Sequence, residues 1–319
     1  MINFNVERRN GELGFDDVLG EVEKKPAFFG KNNSHKIIVP ASSANLGCGF
    51  DSLGLAVNLY LTVEIGEVTD TWQITHELGE TIAKDENNLI VATALKLVPK
   101  LLPHKLAMTS DIPLEHGLGS SSSAIVAGIE LANFLGNLQL TTDDKLQLAC
   151  EIEGHPDNVS PAILGGLVVA SFDNKTLTYQ TLPTPDCSLI AVIPDYNVST
   201  QKARAALPDS YRRAEAVLAS SRANILVAAL ANHNLQLAGQ LMERDLFHEN
   251  FRKSLIPDLE KIRVIAQQHK AYGTYLSGAG STVMILTRSE KAYELLSVLA
   301  ENYSDVRLLT VDTHGVRLE

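Results

Sequence analysis

Residues Ile112 to Gly136, I-P-L-E-H-G-L-G-S-S-S-S-A-I-V-A-G-I-E-L-A-N-F-L-G, constrain this chain more than any other stretch. A proline opens it, Gly117 and Gly119 tighten it, and four serines lead into an apolar run. The pattern reads as a glycine turn feeding a buried helix. Glycines allow close backbone approach. A serine at the helix start can cap it, and Gly136 is a natural stop. A helix N-terminus beside several hydroxyls is an anion site that suits phosphate. The alternative is an ordinary capped core helix. The Walker A loop is excluded, because its Gly-Lys-Ser/Thr ending is missing.

The 319 residues suffice for two domains or one large one. A net charge of −11 argues against a broad nucleic-acid footprint, which needs a basic face. A local pocket can still be positive. Cys48, Cys150 and Cys187 form neither a metal-like cluster nor a disulfide framework, which suits a reducing compartment. No apolar run of transmembrane length and no secretory signal is read from the sequence. The expectation is a soluble cytoplasmic protein with no membrane partner.

Residues 1–35, rich in glycine, charge and asparagine, read as an N-terminal appendage. A short strand at Lys36–Pro40 leads to a small-residue loop from Ala41 to Asp51. Every odd position from Leu55 to Ile65 is apolar, the period of a strand with one buried face. Further strands are expected at Trp72–His76, Lys105–Thr109, Leu167–Ser171 and Leu189–Pro194. Asn87–Leu102 and Asp143–Gly154 have helical patterns, the latter capped by Thr141 or Thr142. Gly154 to Gly166, G-H-P-D-N-V-S-P-A-I-L-G-G, carries too much proline and glycine for a regular element. The second half reads as helices at 199–207, 211–230, 235–246, 256–269 and 290–302, with strands at 273–276, 282–286 and 306–311. Two α+β domains follow, 36–187 and 188–319.

Three glycine-rich loops, each after a strand, suggest one cleft floor: Ala41–Asp51, Pro113–Ser123 and Ser277–Ser281. Their sequences, P-A-S-S-A-N-L-G-C-G-F-D, G-L-G-S-S-S-S-A and S-G-A-G-S-T, resemble the three motifs of the GHMP small-molecule kinases. The first motif, together with H-P-D-N-V-S-P-A-I-L-G-G, resembles the homoserine kinase branch. The resemblance runs from about Lys36 to the C-terminus. It implies an N-terminal nucleotide-binding domain and a C-terminal ferredoxin-like α/β domain. It also implies ATP and Mg²⁺ as cosubstrates, phosphorylation of the L-homoserine hydroxyl in threonine synthesis, and a homodimer. The nearest rival is a mevalonate- or sugar-type GHMP kinase, and another is a non-catalytic ligand-binding relative.

By this resemblance Pro113, Glu115, His116, Gly117, Leu118, Gly119, Ser120, Ser121, Ser122 and Ser123 wrap the nucleotide. Ser122 or Ser121 adds a hydroxyl to Mg²⁺, and Glu151 is its carboxylate. Glu153, two residues on, is expected to point elsewhere, since i and i+2 do not share a helix face. Asn88 either lies near the base or caps the following helix. A zwitterion needs guanidinium for its carboxylate and carboxylate for its ammonium. The resemblance assigns Arg204 and Arg252 to the first role and Asp51 to the second. It places Asn45 near the reacting hydroxyl, with His155, Asn158, Thr200 and Gly280 completing the pocket. Asp157 has two readings, a general base or a turn cap. Ser281 departs from the family, where proline follows Gly-Ala-Gly. Cys48 has no neighbouring base to activate it.

Overall fold

The computed structural model describes residues 35–319. The expected appendage lies outside the described residues, except that His35 opens the first strand. Strands β1 (His35–Ala44) and β2 (Leu53–Val68) pair antiparallel, with Ile37 opposite Val63. The register shifts between Pro40 and Ala41, so β1 continues through residues expected to be loop. Strands β4 (His104–Ser110) and β3 (Gln73–Thr75) extend the sheet on one side, β3 running parallel to β4. On β2 also pairs β5 (Leu167–Phe172), followed by β6 (Leu177–Leu182), a strand that sequence reading missed. The final β11 (Arg317–Leu318) returns to pair with β1, so the chain's end joins the first sheet.

Helices α1 (Leu89–Leu97), α2 (Ser120–Gly136), α3 (Thr142–Glu153) and α4 (Pro156–Leu164) form the first helical layer, α2 and α4 packing on β1. Thr141, not Thr142, caps α3: its hydroxyl accepts from Asp144 N at 3.2 Å, and the Asp144 carboxylate accepts from Thr141 N at 3.0 Å. This is a capping box. Helix α4 overturns the expectation of an irregular segment. Pro156 sits where a helix needs no N–H, and Pro161 withdraws only one bond from a short helix. The Asp157 carbonyl lies where a Cβ on Gly54 would be, 1.8 Å away, so only glycine lets β2 approach α4.

The second sheet holds β7 (Ser188–Val192), β8 (Gly273–Leu276), β9 (Val283–Thr287) and β10 (Val306–Leu309) in the order β10-β7-β9-β8, all antiparallel. Counted within this unit the order is 4-1-3-2, that of a ferredoxin-like split βαβ arrangement. Strands β7 and β9 are buried on both faces. Leu189, Ala191, Met284 and Leu286 join the core shared with the first sheet, while Ile190, Val192, Val283 and Ile285 face a second core. That two-sided burial explains their unbroken apolar runs.

Between β7 and β8 come α5 (Thr200–Ala205), α6 (Arg213–Ala231), α7 (Leu235–Met242), α8 (Glu249–Arg252) and α9 (Leu259–Gln268). Helix α10 (Ala292–Ala300) precedes β10. The four-residue α8 was not foreseen. By length and composition alone α6 is apolar enough to cross a membrane. It nevertheless carries Glu215 and Arg222 and packs along α7.

Candidate active site

The three glycine loops meet. Ser277 Oγ donates to Gly117 O at 2.6 Å, and the Ser43 and Ser277 hydroxyls lie 2.8 Å apart. Ser42 N donates to Leu118 O at 3.2 Å, and Ser42 Oγ to Asn158 Oδ1 at 2.9 Å. Close approach is what the glycines permit. Gly117 has φ +78°, and a Cβ there would stand 2.1 Å from Ser277 O.

Helix α2 starts at Ser120 with Gly119 as its N-cap, in the left-handed region at φ 72° and without a side-chain cap. This corrects the expectation that a serine caps it. Ser123 Oγ instead donates back to Ser120 O at 2.9 Å. The first-turn amides are left for a ligand, in the arrangement that binds phosphate at helix starts. The C-terminal stop is Asn137 in the left-handed region, one residue beyond Gly136.

The cleft is lined by Gly117, Gly119, Ser120, Ser121, Ser122 and Glu115 from the second loop. Asn45 and Asp51 line it from the first loop, His155, Asp157 and Asn158 from the start of α4, and Thr200, Arg204 and Arg252 from α5 and α8. Phe50, Gly278 and Ala279, from loops expected at the cleft floor, line it too, and so do Glu153 and Val198, which were not foreseen there.

Glu151 does not join them. It is exposed, and its Oε1 accepts from Gln147 Nε2 at 2.6 Å. Glu153 lines the cleft instead and accepts a hydrogen bond from Ser122 Oγ at 2.7 Å. Leu146, Ala149 and Cys150 are buried. They lie seven, four and three residues before Glu153, while Gln147 and Leu148, also buried, lie four and three residues before Glu151, so burial along α3 does not by itself choose between the two glutamates.

Four further residues have other work. Asn88 is a buried helix cap, accepting from Ile90 N at 3.1 Å and donating to Ala83 O at 2.8 Å. His116 Nδ1 meets Ser281 Oγ at 2.8 Å, outside the cleft lining. Leu118 is fully buried. Gly280 sits against Ile256, while Gly278 and Ala279 face the cleft in its stead. Pro113 and Ser123 also lie outside the lining. Ser281 Oγ additionally donates to Tyr196 O at 2.6 Å, so two polar contacts hold the loop where the family has proline. Cys48 donates to Leu241 O at 2.7 Å, and burial pushes its thiol up to about 12.

Charge is distributed unevenly. Arg204 grips Asp51 with both nitrogens, at 3.0 and 3.3 Å. Burial works against the Arg204 charge, but the Asp51 bond outweighs it and raises the pKa. Arg252 is different. It is buried, and among the described residues its guanidinium meets no carboxylate, bonding instead to Ala203 O at 3.2 Å, Gly278 O at 2.9 Å and His248 Nδ1 at 3.2 Å. Burial first, and then the neighbouring Arg204 charge, push its pKa down to about 10. A guanidinium so placed favours an incoming anion. Opposite, His155 Nδ1 and Asp157 Oδ1 lie 2.6 Å apart. Burial lowers the His155 pKa, but the bond to Asp157 and the surrounding carboxylates outweigh it, and the net shift is upward.

Residues 88–166 match the model of the GHMP kinases N terminal domain, and residues 226–305 that of the GHMP kinases C terminal. The homoserine kinase of Lactococcus lactis subsp. lactis is 52% identical over 295 residues, covering 89% of this chain and 98% of that protein. A solved structure from Listeria monocytogenes, provisionally named a homoserine kinase, is 46% identical with a TM-score of 0.82, covering 90% of this chain and 99% of its own. The homoserine kinase of Cytophaga hutchinsonii is 29% identical with a TM-score of 0.79, covering 92% and 100%.

Proposed function

The chain belongs to the homoserine kinase family of GHMP kinases, and from that premise we propose that its cleft transfers a phosphoryl group from ATP to the side-chain hydroxyl of L-homoserine, a step of threonine synthesis. The observation that carries the substrate assignment is Arg252, a buried guanidinium in the cleft with no carboxylate partner among the described residues. The substrate carboxylate supplies that partner. Its ammonium goes to Asp51. A zwitterion can enter the Arg204–Asp51 pair with each end taking one side, so charge stays balanced throughout. A neutral sugar or a simple carboxylate leaves one half of that arrangement unmatched.

The nucleotide phosphates lie on the second loop and the open N-terminus of α2. Ser122 Oγ and the Glu153 carboxylate form a pair of hard oxygen donors that fits Mg²⁺. Glu153 has no cation partner among the described residues, and it stands in the last turn of α3, where the helix dipole disfavours a negative charge. When bound, Mg²⁺ would neutralise charge on the phosphate oxygens. The chain's own residues orient the acceptor hydroxyl. Asn158, fixed by Ser42, and Thr200 are placed to do so. Asp157 is engaged with His155, which favours an orienting role over that of a free base. A loose phosphoryl-transfer transition state asks little of a base.

Residues 36–187 form the nucleotide-side unit and 188–319 the second unit, whose last strand returns to the first. The protein acts in the cytoplasm as a homodimer, without nucleic-acid or membrane partners. Support for self-association comes from α6, where Ala214, Leu218, Ser221, Ile225 and Ala228 form an exposed stripe at alternating spacings of four and three. The stripe reads nearly the same in both directions about Ser221. An antiparallel copy therefore sets Leu218 against its partner's Ile225, as a two-fold axis requires.

Coupled ADP release with ATP and Mg²⁺ tests the activity, comparing L-homoserine with L-serine, L-threonine, mevalonate and galactose. Turnover well above the rest with homoserine is expected. Preference for another compound would remove the zwitterion reading of Arg252.

A further inference from the structure

His248, at the head of α8, is fully buried and lines no cleft. Its Nε2 lies 3.0 Å from Gly47 O, and its Nδ1 lies 3.2 Å from Arg252 Nη1. A carbonyl can only accept, so Nε2 carries the hydrogen. A guanidinium can only donate, so Nδ1 offers its lone pair. One form of the ring satisfies both contacts, the neutral Nε2–H tautomer. The backbone holds the ring in place, since Asp245 Oδ2 accepts from His248 N at 2.7 Å and from Glu249 N at 2.8 Å. Phe50 stacks on the imidazole with centroids 5.2 Å apart, and Arg252 Cζ lies 5.6 Å from the centre of the same Phe50 ring.

These contacts join two segments distant in sequence. Gly47 and Phe50 belong to the first loop, which also carries Asp51. Arg252 belongs to α8. Arg252 bonds through Nε and Nη1, its Nη2 has no partner among the described residues, and the side chain lines the cleft. We propose that His248 is the positioning residue that sets Arg252 against Asp51, and thereby fixes the spacing at which the site reads an α-carboxylate and an α-ammonium. The proposal rests on the assignment of Arg252 to the substrate carboxylate.

The test compares His248→Leu, His248→Gln and Arg252→Leu by steady-state kinetics. Leucine keeps bulk and removes both polar contacts. Glutamine offers an amide N–H to Gly47 and an amide oxygen to Arg252. His248→Leu should raise the homoserine KM roughly tenfold, the scale of one lost bond to a charged group, with kcat and the ATP KM little changed. His248→Gln should restore much of the loss. Equal behaviour of the two variants, or equal rises in both KM values, would overturn the proposal. If Arg252→Leu leaves the homoserine KM unchanged, the carboxylate assignment has failed. If Arg252→Leu raises it and His248→Leu does not, only the positioning role has failed. Should the leucine variant not fold, nitrogen-15 spectra of histidine-labelled wild-type protein decide: a buried imidazole in the neutral Nε2–H form at neutral pH is expected, and an imidazolium or the other tautomer there would refute the arrangement.

Discussion

Ser122 Oγ donates to Glu153 Oε1 across 2.7 Å, joining the first turn of α2 to the last turn of α3. Glu151, two residues earlier, is exposed and bound to Gln147 instead. Glu153→Gln keeps the shape and loses the charge. Its turnover should fall roughly a hundredfold, for ~3 kcal/mol of lost charge stabilisation, with a raised Mg²⁺ requirement. Glu151→Gln should leave both the rate and the Mg²⁺ titration unchanged. A Mg²⁺ titration altered only in the Glu151 variant would reverse the assignment.

Arg252→Leu removes the one cleft guanidinium that lacks a carboxylate partner among the described residues. A hydrogen bond to a charged group contributes ~2–3 kcal/mol, so the homoserine KM should rise about 30- to 150-fold while the ATP KM stays within a factor of about two. Kinetics at saturating ATP measure this directly. Comparable losses for both ligands would make the arginine structural.

The His155–Asp157 pair makes stability depend on pH. The His155 pKa is raised in the folded protein above its usual 6.5. The pair's contribution is therefore complete below that usual value and fades as pH rises through the raised one. The melting-temperature gap between wild type and Asp157→Asn should be widest below pH 6.5, the usual imidazole value, and should narrow as pH rises above it. A gap independent of pH would mean that the imidazole does not carry charge there.

If α6 pairs with a second copy, a charge on its stripe must be buried without a partner. Leu218 is 44% exposed and Ile225 50%. Leu218→Glu and Ile225→Glu should each halve the mass seen by light scattering, because an unpaired buried carboxylate is strongly disfavoured. A wild-type protein that already has the mass of one chain would dismiss the pairing.

Much of the site was legible because turn and strand chemistry is local. Gly117 and Gly119 stand where the backbone needs positive φ, Thr141 begins a helix with its partner three residues on, and the odd positions of β2 are apolar. Each of these signals is carried by neighbours in the chain. The motif order that identifies the family is likewise a property of the sequence alone.

What the chain could not settle by itself is which side of an element meets which loop. Residues 156–164 form a helix that docks on β2 because Gly54 admits the Asp157 carbonyl there. Gly278 and Ala279 face the cleft, and Gly280 does not, because Ile256 fills the space beside Gly280. Glu153, and not Glu151, lines the cleft, because α3 docks so that its last turn meets Ser122 at the start of α2. Ser43 and Ser277 touch although 234 residues separate them. Sequence determined most of the elements and the chemistry they carry, though not β6, α4 or α8. Long-range packing decided which of those groups point into the same cleft, because a helix face acquires its direction only from what it is buried against.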